Sequence, residues 1–396
     1  MPIGGAVAVS STLEKIIKNG AFAWENLRSA SNSPFNEKIA RDFSPAEAAD
    51  LIGCAKTTIL AMEKRGEIAE ARRDDRGHRR YSIEDIATIR NAMGRNMGRG
   101  PGDDPRVVAF ITYKGGVGKS TCAISHAQYQ TLKGKRVLFV DCDPQASGTT
   151  FFNYIPDQDF EADDTIYRIL VPQDRDGTKN RLNPEDIREL IRDTHWGNLQ
   201  IIPSMLSLYN AEYAMPSEAS LKHGSGVSLV QRLARALDVV ADDYDVIVLD
   251  APPSLGMISM NVVYAADGII SPIQPGIIDF SSQHQFAQMV KDILDDIGDN
   301  LLFFRVLINN YREHHITQSV AATIRSVYGA SCLTHMLGHT QEITNAATSF
   351  KTVYELDSPI GDSKTHNRAR KMLDDVNGEI ESLIEQTWPS HRTKGE

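Results

Sequence analysis

The chain has 396 residues, 41 % of them hydrophobic and 24 % charged, with a formal net charge of −10. That length and composition suit an ordinary globular protein of more than one domain, and the negative charge excludes a chain coated uniformly in nucleic acid, so any DNA contact must come from local basic patches. Cys54, Cys122, Cys142 and Cys332 lack metal-ligand spacing and read as reduced cytosolic thiols, no apolar run approaches membrane-spanning length, and Met1 to Ser10 does not resemble a signal peptide.

In chain order, Leu13, Ile16 and Ile17 recur at helical spacing within Ser11 to Leu27, with Lys15 and Lys18 beside them. They predict a short helix that either packs on its own chain or is shared between protomers. Ser31-Asn32-Ser33-Pro34 reads as a linker, which closes a first region at 1–37. In the second region, 38–99, Ser44, Pro45 and Glu47 have the spacing of an N-cap, first-turn proline and capping box, and Gly53 ends the helix they begin. A second helix, Lys56 to Arg65, ends at Gly66. In a helix-turn-helix the first residues of the second helix reach base edges, here Thr57 and Thr58. Arg72, Arg73, Arg76, Arg79 and Arg80 then crowd one hairpin, where their mutual repulsion is hard to justify on stability grounds. A third helix runs from Ile83 to Met93. This arrangement resembles the winged helix-turn-helix of MerR-type regulators, and the resemblance implies that Arg79 and Arg80 contact DNA through the wing. The glycine-rich stretch Arg95 to Asp104 reads as the link to a third domain, 100–396.

That domain opens with the apolar strand Val107 to Ile111, the loop Lys114-Gly115-Gly116-Val117-Gly118-Lys119-Ser120-Thr121, and a helix-like segment. Glycines let successive N–H groups face phosphate oxygens, and the following helix adds its positive end. Lys119 would neutralise the β- and γ-phosphates of ATP, and the Ser120 hydroxyl would ligate Mg²⁺. Two further strands run into Asp141-Cys142-Asp143-Pro144-Gln145 and Asp250-Ala251-Pro252-Pro253-Ser254. Carboxylates at strand ends beside a P-loop sit where ligands bind in parallel α/β sheets.

With a second lysine, Lys114, at the mouth of its loop and these motifs in order, the chain resembles the deviant-Walker ATPases of the ParA/MinD superfamily from about Pro105 to Trp388. The implied fold is α/β: a mostly parallel P-loop sheet preceded by the small helical winged domain. Asp250 takes the Walker B role with Asp141 in the outer shell of the metal, and Asp143 orients the attacking water. The resemblance implies that Lys114 crosses a homodimer interface to the partner's nucleotide, where it would supply the charge that an arginine finger provides elsewhere. Asn309, ending the strand Val306 to Ile308, matches a position that reads the adenine edge in relatives. Within the basic segment Lys364 to Lys371, Arg370 matches a residue that binds DNA without sequence preference.

The resemblance therefore implies a DNA-partition ATPase, close to the replicon-partition subgroup. Such a protein binds operator or centromere-like DNA and bulk DNA, is released by a ParB-type partner, represses its own operon, and works in the cytoplasm on the nucleoid or plasmid. The acidic end Glu379 to Gln386 argues against a MinD-like membrane helix, and Cys332 alone after Asp250 argues against an iron–sulfur reductase. An ATP-switched transcriptional regulator without a segregation role is the alternative.

Overall fold

The computed structural model describes residues 4–29, 38–95, 97–171, 184–221, 229–298 and 300–392. The chain divides into two units, at Ile39 and Ala40. The first holds helix α1 (Gly4–Ser29), longer than the predicted segment, on which Val9, Leu13, Ile16, Ile17 and Phe22 are exposed. The predicted linker at Ser31 to Pro34 lies outside the described residues.

The second unit begins with the winged domain. The Ser44 hydroxyl accepts the Glu47 N–H and the Glu47 carboxylate accepts that of Ser44, so the expected capping box starts α2 (Pro45–Ile52). Gly53 and Gly66, at φ 76° and 72°, close α2 and α3 (Lys56–Arg65) in the left-handed region that favours glycine. The wing is the antiparallel pair β1 (Arg72–Arg73) and β2 (Arg79–Arg80), and α4 (Ile83–Ala92) follows it.

The sheet of the ATPase contains β3 (Arg106–Phe110), β4 (Val137–Asp141), β5 (Arg192–Asp193), β6 (Leu199–Ile202), β7 (Val246–Asp250), β8 (Gly268–Ile273) and β9 (Phe303–Ile308). Their order is β5-β6-β4-β7-β3-β8-β9, parallel except at β5. Both faces are buried, which is why the strands read as continuous apolar runs. Val108, Phe110, Phe139, Val246 and Val248 face α5 (Lys119–Leu132) and the C-terminal helix. Ala109, Leu138, Val140, Ile247 and Leu249 face the other layer. The remaining helices that bear on the site are α6 (Ala211–Leu221), α7 (Arg232–Val240), α8 (Met257–Ala265), α9 (Ile277–Ile297), α10 (Gln341–Thr348) and α11 (Ser363–Thr387).

Two boundaries are set by side-chain contacts. α11 begins before the basic segment because Asp362 Oδ1 accepts the Thr365 N–H at 2.9 Å, so Lys364 to Lys371 form its first turns. The expected linker is also pinned: Arg99 donates to the carbonyls of Asp103 and Asp242, and the Asp103 carboxylate accepts N–H groups of Gly100 and Ser390. The winged domain shares one buried core with the ATPase, running from Phe43, Ile59 and Ile86 to Tyr129, Leu132 and Trp388. At that seam Gly134 adopts φ 87° and lies against Arg90 and Ala87, and the buried Arg90 donates to the Leu51 carbonyl.

His126, wholly buried on α5, is poised between Asn377 Oδ1 and Gln130 Nε2, each at 3.2 Å. With Nδ1 protonated it can donate to the first and accept from the second, so the neutral ring is satisfied. Burial pushes its pKa down to about 3. The unfolded ring protonates near its usual value of about 6.5 and the native ring does not. Stability is therefore present above that value and lost as pH falls towards about 3, by at most about 1.4 kcal/mol per pH unit. His126→Gln should flatten the fall in urea midpoint between roughly pH 6.5 and 4, measured beside wild type.

Candidate nucleotide site and DNA-binding surface

The strand register assembles the site. Phe110 and Asp141 both pair with Asp250, so the P-loop and the acidic loops emerge side by side at the carboxyl end of the sheet. Gly116 and Gly118, at φ 74° and 83°, turn the loop into α5, whose first residue is Lys119. Lys119 is buried, with Nζ 2.7 Å from Asp250 Oδ1 and 3.5 Å from Asp143 Oδ2. Burial alone would lower its pKa, but Asp250 and then Asp143 reverse this, and the amine is held above its usual value. It is a permanent cation in a buried acidic cluster.

The three carboxylates have different surroundings. Asp141 Oδ1 accepts the Asp143 N–H at 3.1 Å, while Oδ2 accepts the Thr149 N–H and hydroxyl at 2.7 and 2.8 Å. Burial, then Asp250 and Asp143, push its pKa up to about 8. With both oxygens engaged, Asp141 fits a positioning place outside the metal shell. Asp250 is wholly buried, and Oδ2 has no hydrogen-bond partner although Oδ1 meets Lys119. Burial raises its pKa, and Lys119 and the Ser120 hydroxyl oppose that. An orphaned carboxylate oxygen beside a first-turn serine fits Mg²⁺, which takes one or two protein oxygens and keeps its waters. Asp143 Oδ1 accepts the Gln145 N–H at 2.9 Å, and Oδ2 stays on the Lys119 side. Beyond it Ala146 is held at φ 51°, a conformation a non-glycine residue adopts rarely.

Asn309 lies on the P-loop: Nδ2 donates to the Val117 carbonyl at 2.6 Å, and Oδ1 accepts the Asn310 N–H at 2.8 Å. It borders a cavity of about 530 Å³ beside Gly116, Val117, Gly118 and Thr121. Arg312, His339 and Thr344 line the far side, and sequence reasoning missed them because they lie on loops and α10, far along the chain. The cavity has the size and polarity to take a nucleoside. Gly115 is exposed at the loop's crown. Lys114 does not reach this cluster, and its Nζ lies 2.7 Å from Asp279 Oδ1 on α9.

Comparisons with known proteins identify the family and the fold. Residues 105–303 match the AAA domain family, and residues 43–93 match the MerR HTH family of regulatory proteins. Protein SopA of Escherichia coli K12 is 33 % identical over 336 residues, 82 % of this chain and 83 % of SopA. The chain belongs to the ParA/SopA family of partition ATPases. The solved structure of a partition protein has the same fold, with TM-score 0.67 at 19 % identity, covering 96 % of this chain and 98 % of that one. Cobyrinic acid a,c-diamide synthase from Mycobacterium smegmatis, solved with ADP and magnesium, shares the ATPase fold at TM-score 0.50 and 24 % identity, over 62 % of this chain and 94 % of that one.

In this partition ATPase the DNA-facing expectations divide. Thr57 is exposed and Thr58 half-buried at the start of α3, and Lys56 beside them borders a groove with His78, Arg79 and Arg80. Arg79 is a clasp rather than a free cation. Its Nε donates at 2.8 Å to Glu63, whose carboxylate also accepts the Tyr81 hydroxyl at 2.7 Å and the Ala71 N–H at 3.1 Å. That buried carboxylate binds the wing to α3. Arg80 pairs with Asp74 at 3.2 Å, and Arg76 at the wing tip is exposed. Arg370 is half-buried in a crevice with Glu47, Asp50 and Asp374, where neighbouring carboxylates compensate its charge. The exposed cations of that segment are Lys364, Arg368 and Lys371, the last paired with Asp375.

Lys119→Ala should abolish ATP binding in equilibrium titration. It should also lower the melting temperature, because it strips buried carboxylates of their cation, a loss of about 3–5 kcal/mol if they remain charged. Arg79→Gln should weaken operator binding while leaving its salt slope at the wild-type value, because a clasp contacts no phosphate. Arg80→Gln should reduce that slope by about one.

Proposed function

We propose that the chain is an Mg²⁺-dependent ATPase that segregates plasmid or chromosomal DNA by forming an ATP sandwich dimer. The observation that carries this reading is the cluster of Lys119, Asp143 and Asp250 at the end of the P-loop. The loop N–H groups of Gly115 to Thr121 and Lys119 hold the phosphates, and Ser120 and Asp250 hold the metal. Mg²⁺ supplies charge neutralisation on the phosphates. Asp143 orients the attacking water, with positioning rather than covalent chemistry supplying the rate. Asn309 and the cavity beside it receive the base.

Lys114 acts in trans on the partner's nucleotide. The homodimer reading is supported by the exposed apolar side chains of Tyr113, Leu255, Ile277 and Ile278, which follow the ends of β3, β7 and β8 on the nucleotide side. Scattered exposed apolar residues need no explanation, whereas a group around one site suits a surface that another molecule covers.

The winged domain reads operator or centromere-like DNA and represses the chain's own operon. Arg370, with Lys364 and Arg368 beside it, begins the surface for random DNA, and a ParB-type partner stimulates hydrolysis and releases the dimer. Among the described residues no helix is long and apolar enough to cross a membrane, and the proposed place of action is the cytoplasm, on nucleoid or plasmid DNA.

Asp143→Ala should bind ATP with near wild-type affinity and hydrolyse it at least about a hundredfold more slowly, leaving a persistent dimer. Single-turnover hydrolysis with and without DNA and the ParB-type partner measures this. Normal turnover in Asp143→Ala would remove the water-positioning role, and wild-type turnover indifferent to both additions would remove the partition cycle.

A further inference from the structure

Lys114 and Asp279 meet across two loops that have different tasks. Lys114 opens the P-loop after β3, Asp279 lies in the first turn of α9 after β8, and β3 pairs with β8. Gln274 Nε2 donates to the Gly116 carbonyl at 3.1 Å, which braces the same two loops. Within that frame Asp279 is 9 % exposed, whereas the Lys114 side chain is 41 % exposed. The carboxylate is the buried member of the pair and the lysine the exposed one. The pair lies beside Tyr113, Ile277 and Ile278, the exposed apolar residues of the nucleotide face.

We propose that Asp279 is a positioning residue that latches Lys114 onto its own subunit until a partner's ATP draws it away. This rests on the sandwich-dimer reading. One lysine cannot serve its own Asp279 and a nucleotide across the interface together. A triphosphate carries more negative charge than one carboxylate and competes for the ammonium, whereas the diphosphate competes less well. When Lys114 leaves, Asp279 remains as an anion in the first turn of a 21-residue helix, where the N-terminal dipole favours it. The latch thereby holds the isolated subunit catalytically incomplete and raises the concentration at which ATP assembles the dimer.

The test is analytical ultracentrifugation of the full chain with MgATP across a concentration series. It uses wild type, Asp279→Asn, Lys114→Ala and the double variant, with melting temperature and ATP affinity measured on each. Asp279→Asn should dimerise at a concentration roughly three- to tenfold lower, as expected for a partly exposed ion pair. On the Lys114→Ala background the same change should have no effect, a dependence that a general gain of stability or loss of negative charge would not show. Asp279→Glu should restore the wild-type midpoint. If Asp279→Asn unfolds, Asp279→Ser serves in its place, since serine suits a helix's first turn. An unchanged or higher midpoint, or an equal shift without Lys114, overturns the latch. Wild type that stays monomeric with MgATP and turns over like Lys114→Ala overturns the sandwich reading as well, whereas a failed latch in a chain that dimerises leaves that reading standing.

Discussion

The rest of the site depends on one electrostatic constraint: three carboxylates share a buried strand edge with a single lysine. Asp141, Asp143 and Asp250 could not all be charged there without a cation, and Lys119 supplies it at 2.7 Å from Asp250 and 3.5 Å from Asp143. Burial, with Asp250 and Asp143 close by, raises the pKa of Asp141. A site under that tension favours any ligand that brings positive charge and further oxygen-binding capacity. Mg²⁺ carried on a triphosphate would do both, and Lys119 would then serve the phosphates. Sheet register imposes the constraint, because β3, β4 and β7 end together.

A second consequence concerns the two DNA-related functions. The winged domain and the ATPase are joined through a common core at α4 and α5, and α5 is the helix that begins at the P-loop. Its far end, at Tyr129, Leu132 and Gly134, lies against the winged domain. One rigid element thus runs from the phosphate-binding loop to the DNA-reading module. Arg370 lies half-buried at the same seam beside Glu47, Asp50 and Asp374, and Arg79 is paired inside the wing. In the wing a cation that looks available in a basic run is consumed by a carboxylate from a distant segment.

Much of this protein is fixed by local sequence. Capping residues at Ser44 and Ser82 and glycines at Gly53 and Gly66 set helix ends through contacts within a few residues, so α2, α3 and α4 are legible without the fold. The P-loop is equally local, since its glycines and Lys119 act through their own backbone and the next helix turn. The continuous apolar runs of β3, β4 and β7 announce a sheet buried on both faces.

Only the tertiary structure decides how charges are spent and which segments are free. Glu63 lies 16 residues from Arg79, Asp279 lies 165 residues from Lys114, and no periodicity links them. The glycine-rich stretch before the ATPase looks flexible by composition, yet Asp242 and Ser390, far along the chain, tie it down. The cavity beside the P-loop likewise draws Asn309, His339 and Thr344 from separate elements. Hydrogen bonds along a helix or turn are specified by neighbouring residues, whereas ion pairs and cavities depend on which surfaces the folded chain brings within a few ångströms.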